Sequence, residues 1–356
     1  MDDLRAQFPV FERTEYLNAG TNGPIPRQGY EATLASLRRQ LEEGRSGKAF
    51  FDECVERSDL LRGRVAALIG AELGELALTG STTDGVNAVL AALDLGPDDE
   101  VLTSEEEHPG VLAPLGALRE RRGVSVRVVP FVDLPAAVGP RTRIVACSHV
   151  SWMTGAVVDA VALAATPALV LLDGAQGLGA VAVDVEALGC DFYAASGQKW
   201  LCGPNGLGYL YVRAELAGAL PSPWPGYYNL ADSMRALEFD LHPDARRLSV
   251  GFPLAHHVDW ALAALDVLEQ PGLVAVQERA AELAAGLAAR LGSRVRPRGR
   301  STLVSWEVAN PDAEVERLRT EGFAVRELPG TGTLRASVGA WSSESALARL
   351  AELTCR

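Results

Sequence analysis

The chain has 356 residues, 48% of them hydrophobic and 22% charged, with a formal net charge of −13. Such a composition fits one large or two moderate globular domains and excludes a disordered chain. The acidity argues against a nucleic-acid or anionic-membrane partner, either of which calls for a basic face.

Five cysteines stand at Cys54, Cys147, Cys190, Cys202 and Cys355 without a repeated short spacing. They read as reduced thiols, with neither a disulfide framework nor a metal site. The first residues carry no basic-then-apolar leader, and every apolar run is broken well before the ~18 residues of a membrane span. The expectation is a soluble cytoplasmic protein.

Residues 1–15 read as a short helical arm with Phe8, Val10 and Phe11 as anchors. The segment from Tyr16 to Pro24 is rich in turn residues, and its glycines let backbone approach a ligand closely. A helical pattern covers residues 27–69, with Leu34, Leu37 and Leu41 on one face, then Leu60, Leu61, Val65 and Leu68 on another. Lys48 lies between these faces in a polar loop.

Residues 76–79 form a short strand, followed by Gly80-Ser81-Thr82-Thr83-Asp84-Gly85 and a helix through Val89 and Leu93. Strand, Gly-Ser-Thr-Thr turn and helix make a phosphate cradle, because free amides and hydroxyls meet the positive end of the helix dipole. Ser and Thr also cap helices with no ligand present. A second strand at 100–103 runs into Glu105-Glu106-Glu107-His108-Pro109-Gly110 and a helix at 111–118. Further strands are expected at 124–128 and 143–147, the latter ending at Ser148-His149-Val150-Ser151-Trp152.

The run Leu169-Val170-Leu171-Leu172-Asp173 is a buried strand ending in an acid, followed by Gly174-Ala175-Gln176. Next, Gly177-Leu178-Gly179-Ala180-Val181-Ala182 fits the dinucleotide-binding spacing, but the residues after it alternate as an extended segment where that motif opens a helix. Then comes Ser196-Gly197-Gln198-Lys199-Trp200. Of the 33 Lys and Arg residues only Lys48 and Lys199 are lysines. A chain that uses arginine for its surface charge has reason to keep a lysine where it needs an amine that can lose its proton and form a Schiff base. An acid at a strand end paired with such an amine is the arrangement that pyridoxal phosphate enzymes use, the lysine binding the aldehyde and the acid partnering the pyridinium nitrogen. Taken singly, the acid could be a turn residue and the lysine a solvated charge.

A strand returns at 206–212. Residues 221–252 are irregular and aromatic, either a pocket lid or a surface excursion. Helices at 257–268 and 274–291, a strand at 302–308, a helix at 314–321, a strand at 334–338 and a helix at 343–353 complete a smaller terminal domain.

The blocks Asp173-Gly174-Ala175-Gln176 and Ser196-Gly197-Gln198-Lys199, followed by Gly203-Pro204-Asn205-Gly206, resemble the two signatures of the class V aminotransferase family. That family is a fold type I group of pyridoxal 5′-phosphate (PLP) enzymes that includes cysteine desulfurases, carbon-sulfur lyases and isopenicillin N epimerase-like proteins. The resemblance implies an α/β fold, with a large PLP-binding domain over 16–252 built on a mixed, mostly parallel sheet, and a small α+β domain over 253–356. It implies a homodimer, although Phe252 stands where the family carries a threonine that reaches the neighbouring subunit's cofactor. It further implies Lys199 as the Schiff-base lysine, Asp173 on the ring nitrogen, His108 stacked on the ring and Gln176 at the phenolic oxygen. Ser81, Thr82, Thr83, Ser196 and Gln198 would surround the phosphate. Arg335, in a Leu-Arg-x-Ser block, would bind the substrate carboxylate, with Ala19, Gly20 and Trp152 nearby.

No cysteine precedes the Leu-Arg-x-Ser block where one desulfurase branch keeps its nucleophile. The favoured reaction is therefore β-elimination from a cysteine-type amino acid. Transamination, racemisation and a non-catalytic PLP-binding role are the alternatives.

Overall fold

The computed structural model describes residues 2–249 and 251–354; Cys355 lies outside them. Strands in chain order are β1 Glu15–Tyr16, β2 Leu76–Thr79, β3 Glu100–Ser104, β4 Ser125–Val129, β5 Thr142–Ser148, β6 Leu169–Asp173, β7 Phe192–Ser196, β8 Gly208–Val212, β9 Leu303–Glu307, β10 Phe323–Ala324, β11 Arg326–Leu328 and β12 Thr333–Ser337. Helices are α1 Asp2–Ala6, α2 Arg27–Glu43, α3 Gly47–Leu68, α4 Thr82–Ala92, α5 Pro109–Arg122, α6 Leu134–Ala137, α7 Ala160–Ala164, α8 Val185–Leu188, α9 Ala214–Ala217, α10 Ala255–Glu269, α11 Leu273–Leu291, α12 Pro311–Thr320 and α13 Glu344–Thr354.

Seven strands form one sheet in the order β2-β8-β7-β6-β5-β3-β4, parallel throughout except for β8, which runs against both neighbours. The alternation of strand side chains splits the interior into two apolar layers. Leu102, Val145, Val170 and Leu172 face one layer, and Val101, Ile144, Leu171 and Phe192 face the other. This period of two is what a sheet covered on both sides requires. The chain order reverses between β3 and β5, and in open α/β sheets such a switch opens a crevice beyond the carboxyl ends of the strands. Ser104, Ser148, Asp173 and Ser196 end their strands at that edge.

A second core, containing Leu287, Trp306, Leu334 and Leu350, lies under the antiparallel sheet β11-β12-β9. Leu17 belongs to it, because β1 pairs in parallel with β10. Residues 15–17 therefore form an edge beside β10, while Leu4 and Phe8 pack in the larger core. α10 packs on α2 and α3, and its Val258, Leu262 and Leu265 belong to the large core. α11 places Val276 and Ala280 in the large core and Leu283 and Leu287 in the small one. α11 thus bridges the two apolar clusters.

The apolar stripe of α2 does not face either core. Leu34, Leu37 and Leu41 are 43%, 43% and 85% exposed, while Gly29 and Ser36 are the buried positions of that helix. Lys48 lies in the first turn of α3, not in a loop, and pairs with Asp52 at 2.6 Å. No helix among the described residues is long and apolar enough to cross a membrane.

Candidate active site

At the carboxyl edge of the large sheet a cavity of about 290 Å³ is lined by Gly20, Ser81, Thr82, Thr83, His108, Trp152, Asp173, Gln176, Ser196, Gln198, Lys199 and Arg335. Ala19 is the exception among the expected residues. It is fully buried in the core and does not line the cavity. Thr21, Asn22, Ser148, Val150, Ala175 and Arg326 line it as well; the first five lie in segments that the sequence singles out, and Arg326 lies outside them. None of the described residues of the segment 221–252 lines this cavity. Tyr227, Tyr228 and Phe252 instead line a separate hollow against Phe51 and Val55 of α3.

Lys199 stands in the turn after β7. Burial lowers its ammonium to about 8, against the opposing pull of Asp173 and with help from Arg335 and Arg326. Gly23 donates its amide to the Gln198 carbonyl at 2.7 Å, and Trp260 donates its indole N–H to the Cys202 carbonyl at 2.9 Å, so the lysine turn is held from both sides. Cys202 holds a left-handed φ of 55°, a costly conformation for a residue with a β-carbon.

Asp173 closes β6, fully buried, and burial raises its carboxyl despite Lys199 and the Ala175 amide, which donates to Oδ1 at 2.9 Å. Behind it, His149 Nδ1 and the Tyr193 hydroxyl pair at 3.0 Å. His149 is thus a support of the β6 turn and does not line the cavity.

His108 caps α5, its Nδ1 accepting the Gly110 amide at 3.0 Å. An accepting Nδ1 leaves the ring hydrogen on Nε2. Burial, then Lys199, Arg326 and Arg335, lower the imidazole to about 4, so the ring is neutral. It meets Trp152 edge to face, with centroids 5.2 Å apart.

The phosphate-like cradle is more specialised than its sequence suggests. Ser81 spends its hydroxyl capping α4, accepting from the Asp84 amide at 3.1 Å. Thr82 gives its amide to Ser196 Oγ at 3.0 Å and shares a 2.6 Å contact between the two hydroxyls. The Ser81 hydrogen is not used by that cap, and one hydrogen of the Thr82–Ser196 pair stays free; with Thr83 and the Gln198 carboxamide, whose buried Oε1 has no partner, these are the groups an anion can meet. Carboxamide ends exchange by a half-turn, so Gln198 can present N–H to a phosphate.

Gln176 is engaged on both ends. Its Nε2 donates to the Gly20 carbonyl at 2.7 Å, and its Oε1 accepts the Trp200 indole N–H at 3.0 Å. One amide hydrogen remains for a ligand oxygen.

Arg335 is 1% exposed. Its Nη1 donates to the Trp152 carbonyl at 2.9 Å and its Nη2 to Thr21 Oγ1 at 3.4 Å, while Nε has no partner. No carboxylate among the described residues lies within ion-pair range of it. Arg326 sits directly opposite Arg335 in the β11-β12 register and donates to Thr21 Oγ1 at 3.0 Å. Like charges placed opposite each other on a sheet are destabilising. Their presence here, without an acidic neighbour, suits a site that receives an anion.

The segment 177–182 turns back on itself, with a bridge between Leu178 and Val181, and the next helix begins only at Val185. It does not open the helix on which a dinucleotide pyrophosphate would rest.

The family model described as Aminotransferase class-V matches residues 17–330. The cysteine desulfurase of Enterobacter sp. (strain 638) is 31% identical over 307 residues, covering 80% of this chain and 75% of that protein. A solved complex of the cystine C-S lyase C-DES with its reaction product cysteine persulfide superposes with a TM-score of 0.91 at 26% identity, covering 98% of this chain and 99% of that one. A C-DES mutant with glycine covalently linked to its PLP cofactor gives a TM-score of 0.92 at 25% identity, covering 98% of each chain.

Proposed function

The chain belongs to the class V aminotransferase family, and from that premise we propose that it is a PLP-dependent lyase. It breaks the carbon–sulfur bond of a cysteine-type amino acid or S-conjugate, including the disulfide cystine, by β-elimination. One observation carries the reading: a single cavity is lined by Lys199, by the buried Asp173 and by Arg335, which has no acidic partner among the described residues.

The donors fit PLP. Ser81, Thr82 and Thr83 at the start of α4, with Ser196 and Gln198 beside the lysine, would hold the phosphate, and the Thr82–Ser196 contacts tie these two segments together. The spare Gln176 amide hydrogen would serve the phenolic oxygen, and the neutral His108 ring would lie beside the pyridine ring. When bound, PLP supplies an aldehyde for an amine to condense with and a pyridinium ring that takes up the electron pair left at the substrate α-carbon. Asp173 holds the proton on the ring nitrogen. Arg335 receives the substrate carboxylate on its open Nε–Nη2 edge, with Arg326 adding positive charge. Lys199 Nζ then removes the α-proton, a task suited to an amine lowered towards neutrality.

The absence of a cysteine among the described residues that line the cavity favours elimination over desulfuration. Cys202 is buried, its thiol pushed upward by burial and its Sγ directed to the Trp200 carbonyl. Sulfur therefore leaves with its electron pair as a thiolate, or as a persulfide anion from a disulfide, and the released 2-aminoacrylate, as its imine tautomer, takes up one water to give pyruvate and ammonia. The exposed apolar stripe on α2 supports a homodimer. Four free, buried cysteines support a reducing, cytoplasmic setting.

The test is product analysis of the PLP-loaded protein with cystine and cysteine. Pyruvate and a persulfide or sulfide without a keto-acid acceptor support elimination. Alanine as product would replace it with desulfuration, strict dependence on an acceptor with transamination, and loss of α-carbon chirality alone with racemisation.

A further inference from the structure

Two of the consecutive acids 105–107 are bonded into the structure behind the cavity. Glu107 is 3% exposed and accepts Ser104 Oγ at 2.5 Å, the Ser148 amide at 2.8 Å and Ser148 Oγ at 2.6 Å. Glu106 reaches the other way. Its Oε2 accepts the hydroxyls of Ser151 and of Thr154, the latter at 2.7 Å. The same Ser151 Oγ takes the amides of Met153 and Thr154, both at 3.2 Å. The turn 151–154 is thereby closed around one carboxylate oxygen.

Trp152 lies inside that turn and does two things at the cavity. Its ring packs against His108, two residues after Glu106. Its carbonyl accepts Arg335 Nη1. A guanidinium is a rigid plane, so fixing Nη1 sets the direction in which the Nε–Nη2 edge points.

We propose that Glu106 is a positioning residue for substrate binding. By tying the 151–154 turn to the β3–α5 connection, it holds the Trp152 carbonyl and so aims the carboxylate-binding edge of Arg335. Its contribution is acceptor geometry, since both its partners are neutral hydroxyl donors. The inference rests on the elimination chemistry proposed above and assigns a part of the substrate site that lies behind the cavity wall, because Glu106 does not line the cavity.

The test compares PLP-loaded wild type, Glu106→Ala and Glu106→Gln in pyruvate release from cystine. Glu106→Ala raises KM about tenfold, the equivalent of 1.4 kcal/mol, while kcat stays within about twofold and the cofactor's visible band is unchanged. Glu106→Gln keeps an oxygen for both hydroxyls and stays within about threefold of wild-type KM. A second readout is inhibition by a non-reactive amino acid against the matching amine without a carboxylate. The preference for the carboxylate shrinks in Glu106→Ala and is retained in Glu106→Gln. Normal wild-type turnover with an unchanged KM and preference in Glu106→Ala overturns the inference alone. So does a Glu106→Gln as impaired as Glu106→Ala, or a loss confined to kcat. A wild-type protein with no PLP-dependent turnover takes down the proposed function together with it.

Discussion

The Gly23 amide and the Gln198 carbonyl are joined at 2.7 Å, and a β-carbon on Gly23 would come to 2.1 Å from the Lys199 carbonyl. The entry loop and the lysine turn therefore touch backbone to backbone. No rotamer relieves that contact, because the opposing atom is main chain. Gly23→Ala is expected to displace the lysine turn and weaken PLP binding by at least about tenfold, 1.4 kcal/mol or more. Titration of the apoprotein with PLP, followed by visible absorbance, checks this.

Lys199→Ala should remove both the visible band of bound PLP and turnover, whereas Lys48→Ala, on the exposed start of α3, should leave both intact. The amine must be unprotonated to condense with an aldehyde, and it is lowered to about 8. Reconstitution of the apoprotein should then quicken by about tenfold per pH unit up to about pH 8 and level off above it. A flat rate between pH 6 and 9 would contradict the assignment.

Arg335→Lys exchanges a planar fork for a single ammonium and leaves the Trp152 carbonyl without its guanidinium donor. A hydrogen bond to a charged group contributes about 1.5–3 kcal/mol. KM should therefore rise between about tenfold and a hundredfold, with a smaller effect on kcat, in steady-state pyruvate release.

Glu107 makes stability depend on pH. Burial, despite its three donors, raises the carboxyl to about 7, above the unfolded value of about 4.3. The folded state prefers the protonated form, so this contribution is complete below the unfolded value and is lost as pH rises through about 7. Glu107→Gln cannot titrate. Denaturant unfolding at pH 5 and pH 8 should show that wild type loses more stability across this interval than Glu107→Gln, by at most about 3 kcal/mol.

Leu37→Glu places a charge in the exposed stripe of α2. If that face is shared by two copies, sedimentation velocity should show a shift from dimer to monomer, because a carboxylate buried between apolar surfaces costs several kcal/mol. An unchanged sedimentation coefficient would place the subunit contact elsewhere.

Much of the site was legible because its parts are local. The Ser81-Thr82-Thr83 turn sits between a strand and a helix that announce themselves, Asp173 ends an apolar run, and Lys199 is conspicuous through the scarcity of lysine. Arg335 stood in a recognisable block. Arg326 was not visible, because only the β11-β12 register brings it opposite Arg335, and nothing local separates it from the other arginines. Ser148 and Glu106 gain their roles from contacts across more than forty residues. β7 was overlooked since Phe192–Ser196 contains two alanines and lacks alternation, its strand character coming from neighbours on both sides. The α2 leucines show the opposite failure, a clean helical stripe that stays exposed instead of packing on the chain's own core.

The pairing of Glu15–Tyr16 with Phe323–Ala324 continues as Leu17, whose carbonyl accepts the Ser337 amide at 2.8 Å, before the chain crosses Gly20 to Asn22 and docks at Gln198. These few residues join the β10 and β12 edge at one end to the turn that carries the reactive amine at the other. Gly20, Thr21 and Asn22 line the cavity between those two anchors, so trimming the first seventeen residues would remove the β10 anchor of that wall.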